Sequence, residues 1–175
     1  LKPLHQAIAR LDGEIEQAMD RHPDAPIFRS LPAAGSALAP RLLVAFGTNR
    51  DRFENADQVA QFYGLAPVVV QSGNSKTVHH RYRCPKFGRQ TFHENAGCVA
   101  KVEPWARCYY AQHKQRHDDK HHQACRALAF KLIRIYFACW KHRTIYAADI
   151  YLRALEKQGS PLHKMVQIPT PAHGE

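Results

Sequence analysis

The chain has 175 residues, enough to bury one hydrophobic core or one domain with an appendage. Its 25 Lys and Arg against 15 Asp and Glu leave a formal net charge of +10, which favours a polyanionic partner, nucleic acid ahead of an anionic membrane surface. No apolar run approaches the roughly 18 residues needed to span a bilayer, and the charged opening LKPLHQAIARLDGEIEQ does not read as a signal peptide.

In chain order, Leu4, Ile8, Leu11, Ile15 and Met19 recur at three- and four-residue steps. That spacing predicts a helix with a narrow apolar stripe, either coiled-coil-like or packed on its own domain, ended by Pro23 and Pro26. The chain starts without Met inside this pattern, which reads as a fragment or the back half of a longer protein. Next, IFRSLPAAG and the apolar segment to Gly47 predict a short helix, a tight turn at Gly35 and a second helix. This is like a helix-hairpin-helix, which holds duplex backbone through turn amides. The usual Gly-hydrophobic-Gly turn is here Ala33-Ala34-Gly35, so one glycine is missing and phosphate contact at Gly35 is open.

Asn55 with Gln58 forms a cap signature for a short helix ending near Gly64. Val68, Val69 and Val70, then the alternation through Val78 and Tyr82, predict a hairpin or two extended arms around Ser72-Gly73-Asn74-Ser75. Helices are expected over about 88–102, 104–117, 120–142 and 146–158, with Leu128, Leu132, Ile135 and Phe137 as the core face of the third. From Gly159 a loose tail is expected. The fold class is thus mainly α, helix-hairpin-helix-like, with a short extended segment at 67–84 and a preceding coiled-coil-like helix at 1–22.

The most informative stretch lies between Asp57 and Glu94, which contains no acidic residue but holds Lys76, Arg81, Arg83, Lys86 and Arg89 around one Ser-Gly step. A hydroxyl among cations suits chemistry on a phosphodiester, since Lys and Arg neutralise phosphates and Gly73 lets a backbone approach Ser72 closely. His79 and His80 are near enough in sequence to act as bases or phosphate donors, but no carboxylate in the stretch completes a triad. The alternative is a solvated basic hairpin beside an ordinary serine.

His113, His117, His121 and Cys125, four residues apart, would form one stripe of soft ligands on a continuous helix. Such a row spans more than about 15 Å, so at most two could share an ion, and no metal site is assigned. The five cysteines include no Cys-x-x-Cys pair and are expected to be reduced.

The blocks LPAAGSALAPRLLVAFG, DRFENADQVAQFYGLAP, QSGNSKTVHHRYRCPKFGRQTF, KHHQACRALAFKLIRIYFACWKHR and GSPL resemble the C-terminal domain of insertion-sequence "one-ten" transposases, most of all their "eleven-eleven" branch. The resemblance runs from about Ile27 to Leu162, dividing into a helix-hairpin-helix-like part (27–64), a serine loop (65–87) and a helical part (88–158). It implies a separate N-terminal ribonuclease-H-like domain whose acids bind Mg2+, a coiled coil, a structured guide RNA and a homo-oligomer. It also implies that Ser72, followed by Gly73, attacks DNA to form a phosphoserine link during strand exchange. Ser75 is near the loop but off that position. Without the acidic domain this chain alone is expected to be inactive. The expected setting is the bacterial cytoplasm, on nucleoid DNA. The rival readings are a non-catalytic nucleic-acid-binding module and a histidine-rich metal-binding protein.

Overall fold

The computed structural model describes residues 2–79, 81–116 and 120–167, with backbone only at positions 69, 70, 76, 78 and 79. The fold is mainly α: α1 (Lys2–Asp20), α2 (Ala25–Ser30), α3 (Gly35–Phe46), α4 (Ala56–Phe62), then β1 (Val68–Ser72) and β2 (Ser75–His79). There follow α5 (Lys86–Val102), α6 (Pro104–Arg116), α7 (His121–His142), α8 (Ala148–Lys157) and α9 (Pro161–Gln167).

α7 is the central helix, packed by α4, α5, α6 and α2. Its buried face carries Cys125, Leu128, Ala129, Leu132, Ile133, Tyr136 and Trp140. Ile135 and Phe137, expected inside, are only half-buried, because α4, α5 and α6 surround the helix and select a broader face than one apolar stripe. An aromatic chain joins the layers. Phe46 of α3 meets Phe28, Phe92 and Trp140 at ring-centre distances of 5.9, 5.7 and 5.5 Å. Arg50 closes this cluster, stacked over Trp140 at 4.8 Å and paired with the buried Asp24 at 2.6 Å.

α1 docks by its C-terminal end, where Met19 is buried and Arg29 holds Glu16 and Asp20. Leu4, Ile8, Leu11 and Ile15 stay 60%, 49%, 51% and 48% exposed, so the domain does not cover the stripe. Asn55 caps α4 by accepting from the Gln58 N–H, while the Gln58 side chain accepts from the N–H of Glu54 rather than from that of Asn55. Beyond Gly159, where a loose tail is expected, α9 forms and lies against α6 with Leu162 buried. Ser160 accepts from the Leu162 N–H and Pro161 begins the helix, so the cap was present in GSPL.

The turn between α2 and α3 holds Ala33 at φ 51°, a left-handed conformation that costs an alanine about 1 kcal/mol. The backbone thus keeps a glycine-like shape at a position that lacks glycine. Ala33→Gly is expected to raise the melting temperature by roughly 2–4 °C. A fall in a thermal melt would show that the strain is absent.

Candidate nucleic-acid interface

β1 and β2 pair antiparallel with Ser72 opposite Ser75 and Gln71 opposite Lys76. Gly73 and Asn74 make the two-residue connection. Gly73 has φ 55°, the positive value required at the first central position of a primed turn. A Cβ at Gly73 would meet nothing within 4 Å, so the residue is there for its backbone angle and the tip is open. Ser72, Gly73, Asn74 and Ser75 are all exposed. The strands pack mainly on each other, which leaves the hairpin standing off the helical body.

Its foot is clamped. At Gly64, φ 65°, a Cβ would lie 2.7 Å from the Cys84 sulfur and 3.0 Å from the Arg81 carbonyl. The segment after β2 therefore crosses directly over the backbone that precedes β1, and only glycine admits that approach. A similar contact seats α5: a Cβ at Gly88 would fall 2.1 Å from the Tyr63 ring, whose hydroxyl donates to the Ala45 carbonyl at 2.6 Å.

Arg81, Arg83 and Lys86 are exposed and Arg89 is half-buried. The backbones of Lys76 and His79 lie in β2, but their side chains, and all of His80, are outside the described residues. Gly35 is exposed at the start of α3. The two acids bounding the basic stretch are taken up by other helices: Glu94 pairs with Arg41 of α3, and Asp57 with Arg134 of α7. The Gln90 and Arg41 hydrogen bonds hold the Glu94 carboxyl below its ordinary range, despite some opposing desolvation.

At the hairpin's foot, between the first turns of α5 and α7, a cleft of about 590 Å³ is lined by Lys86, Arg89, His93, His122, Arg126 and Tyr82. Neither helix has an acidic residue in its first turn. His93 stacks near His122 with ring centres 5.4 Å apart. Burial, partly offset by a hydrogen bond to the His122 backbone, lowers the His93 pKa, with His121, His122 and Arg126 adding repulsion. Arg126 is likewise lowered, first by desolvation and then by the charge of Arg89.

Sequence reasoning missed Arg126, His93, His122 and Tyr82, because they come together only where α5 packs on α7 beside the segment that follows β2. His113 lies on α6 and His121 and Cys125 on α7, the two helices expected over about 104–117 and 120–142, so they do not share one continuous helix; position 117 is outside the described residues. His121 approaches the Cys125 sulfur at 3.6 Å, whereas His113 stacks on Tyr109 at 4.4 Å. Among the described residues no group of three or more His, Cys, Asp or Glu could hold a metal ion. The resemblance places the Mg2+ ligands on a separate N-terminal domain. No helix among the described residues is long and apolar enough to cross a membrane.

A family model for the transposase IS116/IS110/IS902 family matches residues 25–111, which include α2 to α5 and the whole hairpin. The chain belongs to this family. Among relatives of this transposase segment is the insertion element IS110 uncharacterized 43.6 kDa protein of Streptomyces coelicolor, 30% identical over 83% of the chain and 36% of the relative. The insertion element IS900 uncharacterized 42 kDa protein of Mycobacterium paratuberculosis is 30% identical over 82% of the chain and 36% of the relative. The chain thus spans about a third of the length of the curated relatives it matches.

Proposed function

We propose that this chain is the DNA-binding part of a serine-using transposase, and that Ser72 is the nucleophile of strand exchange. The observation that carries the reading is the exposed Ser72 beside the left-handed Gly73 at the tip of a hairpin rooted in a stretch with no acid. The Ser72 hydroxyl oxygen attacks a backbone phosphorus, forming a serine–phosphate ester while the bond from phosphorus to the leaving strand's oxygen breaks. The serine proton passes to a base and the departing oxygen takes up a proton. A hydroxyl of a second strand then attacks the phosphoserine, rejoining DNA and restoring the serine. One phosphoester bond replaces another at each step, so no ATP is consumed.

Arg81, Arg83, Lys86, Arg89 and Lys76 would grip the backbone of DNA or of a structured guide RNA, with His79 or His80 orienting the phosphate and the amides near Gly35 giving a second hold. Mg2+ would be held by the acids of the N-terminal domain that the resemblance implies. The uncovered α1 stripe favours pairing with a second copy. Such an enzyme would work on the bacterial nucleoid.

The rival reading, a non-catalytic basic module, shares the basic surface and needs no special serine. Both readings expect binding whose logarithm falls with log salt at a slope of about −3 or steeper; a flat slope rejects both. Trapping DNA on the protein, combined with the acidic domain that the family resemblance implies, separates them. An adduct mapped by mass spectrometry to Ser72 supports the recombinase; efficient strand joining with no serine adduct overturns it.

A further inference from the structure

We propose that the cleft at the foot of the hairpin is a subsite for one unpaired nucleotide, its phosphate lying between Arg89 and Arg126 and its base stacked on Tyr82. The proposal rests on the nucleic-acid reading above and deepens it. Lys86, Arg89, His93, His122 and Arg126 converge on one cleft from two helices. Glu94, the carboxylate among the lining residues, accepts hydrogen bonds from Arg41 and Gln90. Arg89 and Arg126 repel each other across the cleft. An anion held between two guanidiniums turns that repulsion into two charge-assisted attractions. The positive end of the 22-residue α7 dipole adds in the same direction.

The aromatic component decides the form of the ligand. Tyr82 lines the cleft yet is 83% exposed, which leaves its ring available to a stacking partner. A base can lie on that ring only when it is out of a duplex, and cationic grooves edged by aromatics are the way sequence-tolerant single-strand sites are built. Along β1 the four steps from Val68 to Ser72 span about 13 Å. The nucleotide held at the foot is therefore not the one that meets Ser72. The subsite positions the strand some way from the reacting phosphate.

The test uses the 175-residue chain with fluorescent single-stranded DNA, single-stranded RNA and duplex DNA of one length. Tyr82→Ala is expected to weaken single-strand binding about tenfold and duplex binding less than about twofold, while Tyr82→Phe retains affinity. Arg126→Gln should also weaken the single strand more than the duplex and make its salt slope shallower by about 1. Tighter binding of RNA than of DNA would name a guide strand as the occupant; the reverse would name a melted DNA end. The inference is overturned if Tyr82→Ala leaves single-strand affinity unchanged, or if both variants weaken duplex and single strand equally. Salt-dependent binding by the parent chain would then still support the broader reading. No binding to any of the three probes would sink both. Unaltered melting temperatures for the variants keep loss of fold from imitating loss of the site.

Discussion

Ser72→Ala is expected to reduce DNA strand joining by about 10³-fold or more in a reconstituted transposition assay, while DNA affinity stays within about twofold. A nucleophile removed cannot be replaced by the residual effects of binding, so the chemical step should fall to background, whereas one exposed hydroxyl contributes little to a charge-driven interface. The hairpin supplies its own control. Ser75 pairs directly with Ser72 across the turn and is also exposed, so it shares the same neighbourhood and the same cations. Ser75→Ala should leave strand joining within about threefold. Equal losses from the two substitutions would mean that the tip matters as a shape or a contact surface. Full activity in Ser72→Ala would remove the nucleophile altogether.

Local chemistry made much of the fold legible. The α1 spacing, the Asn55 cap, the Val-rich strand before Ser-Gly and the long apolar run of α7 each carry their signal within a few residues, and each element formed. What could not be read is whatever depends on how helices are placed around one another. Ile133 and Tyr136 are buried while Ile135 and Phe137 are half-buried, a choice made by the neighbours of α7 rather than by its own periodicity. The cleft shows the same limit. Arg89 and His93 are visible as a basic helix start and His122 and Arg126 as another, but their convergence is a property of the α5–α7 contact. The exposed Ser72-Gly73 turn was legible because its neighbours in space are also its neighbours in sequence. His113 and Cys125 were expected on separate helices, 104–117 and 120–142, and they lie on α6 and α7.

That α5–α7 contact is held by a buried polar junction whose removal should have the largest effect on stability. Tyr136 of α7 donates its hydroxyl to the Asn95 side-chain oxygen at 2.7 Å, and the Asn95 amide donates to the Pro32 carbonyl at 3.1 Å. Asn95 and Tyr136 are 0% and 1% exposed, and burial raises the Tyr136 pKa well above 10, so the group stays a neutral donor. One asparagine thus ties both helices to the turn in which Ala33 and Gly35 take positive φ. Asn95→Ala leaves a buried hydroxyl and a buried carbonyl without these partners, at about 1–3 kcal/mol each, and adds a small cavity. We expect a loss of about 3–4 kcal/mol, read as a melting temperature lower by roughly 6–15 °C. Tyr136→Phe strands only the Asn95 oxygen and should cost about 1–2 kcal/mol. If the two variants in combination cost as much as the sum of their separate effects, the residues act independently and the junction is not a coupled unit; a clearly smaller combined loss is the expected result. A shift of less than about 2 °C for Asn95→Ala would mean that water or a rotated neighbour satisfies the freed groups, and that apolar packing alone sets the approach of α5 to α7.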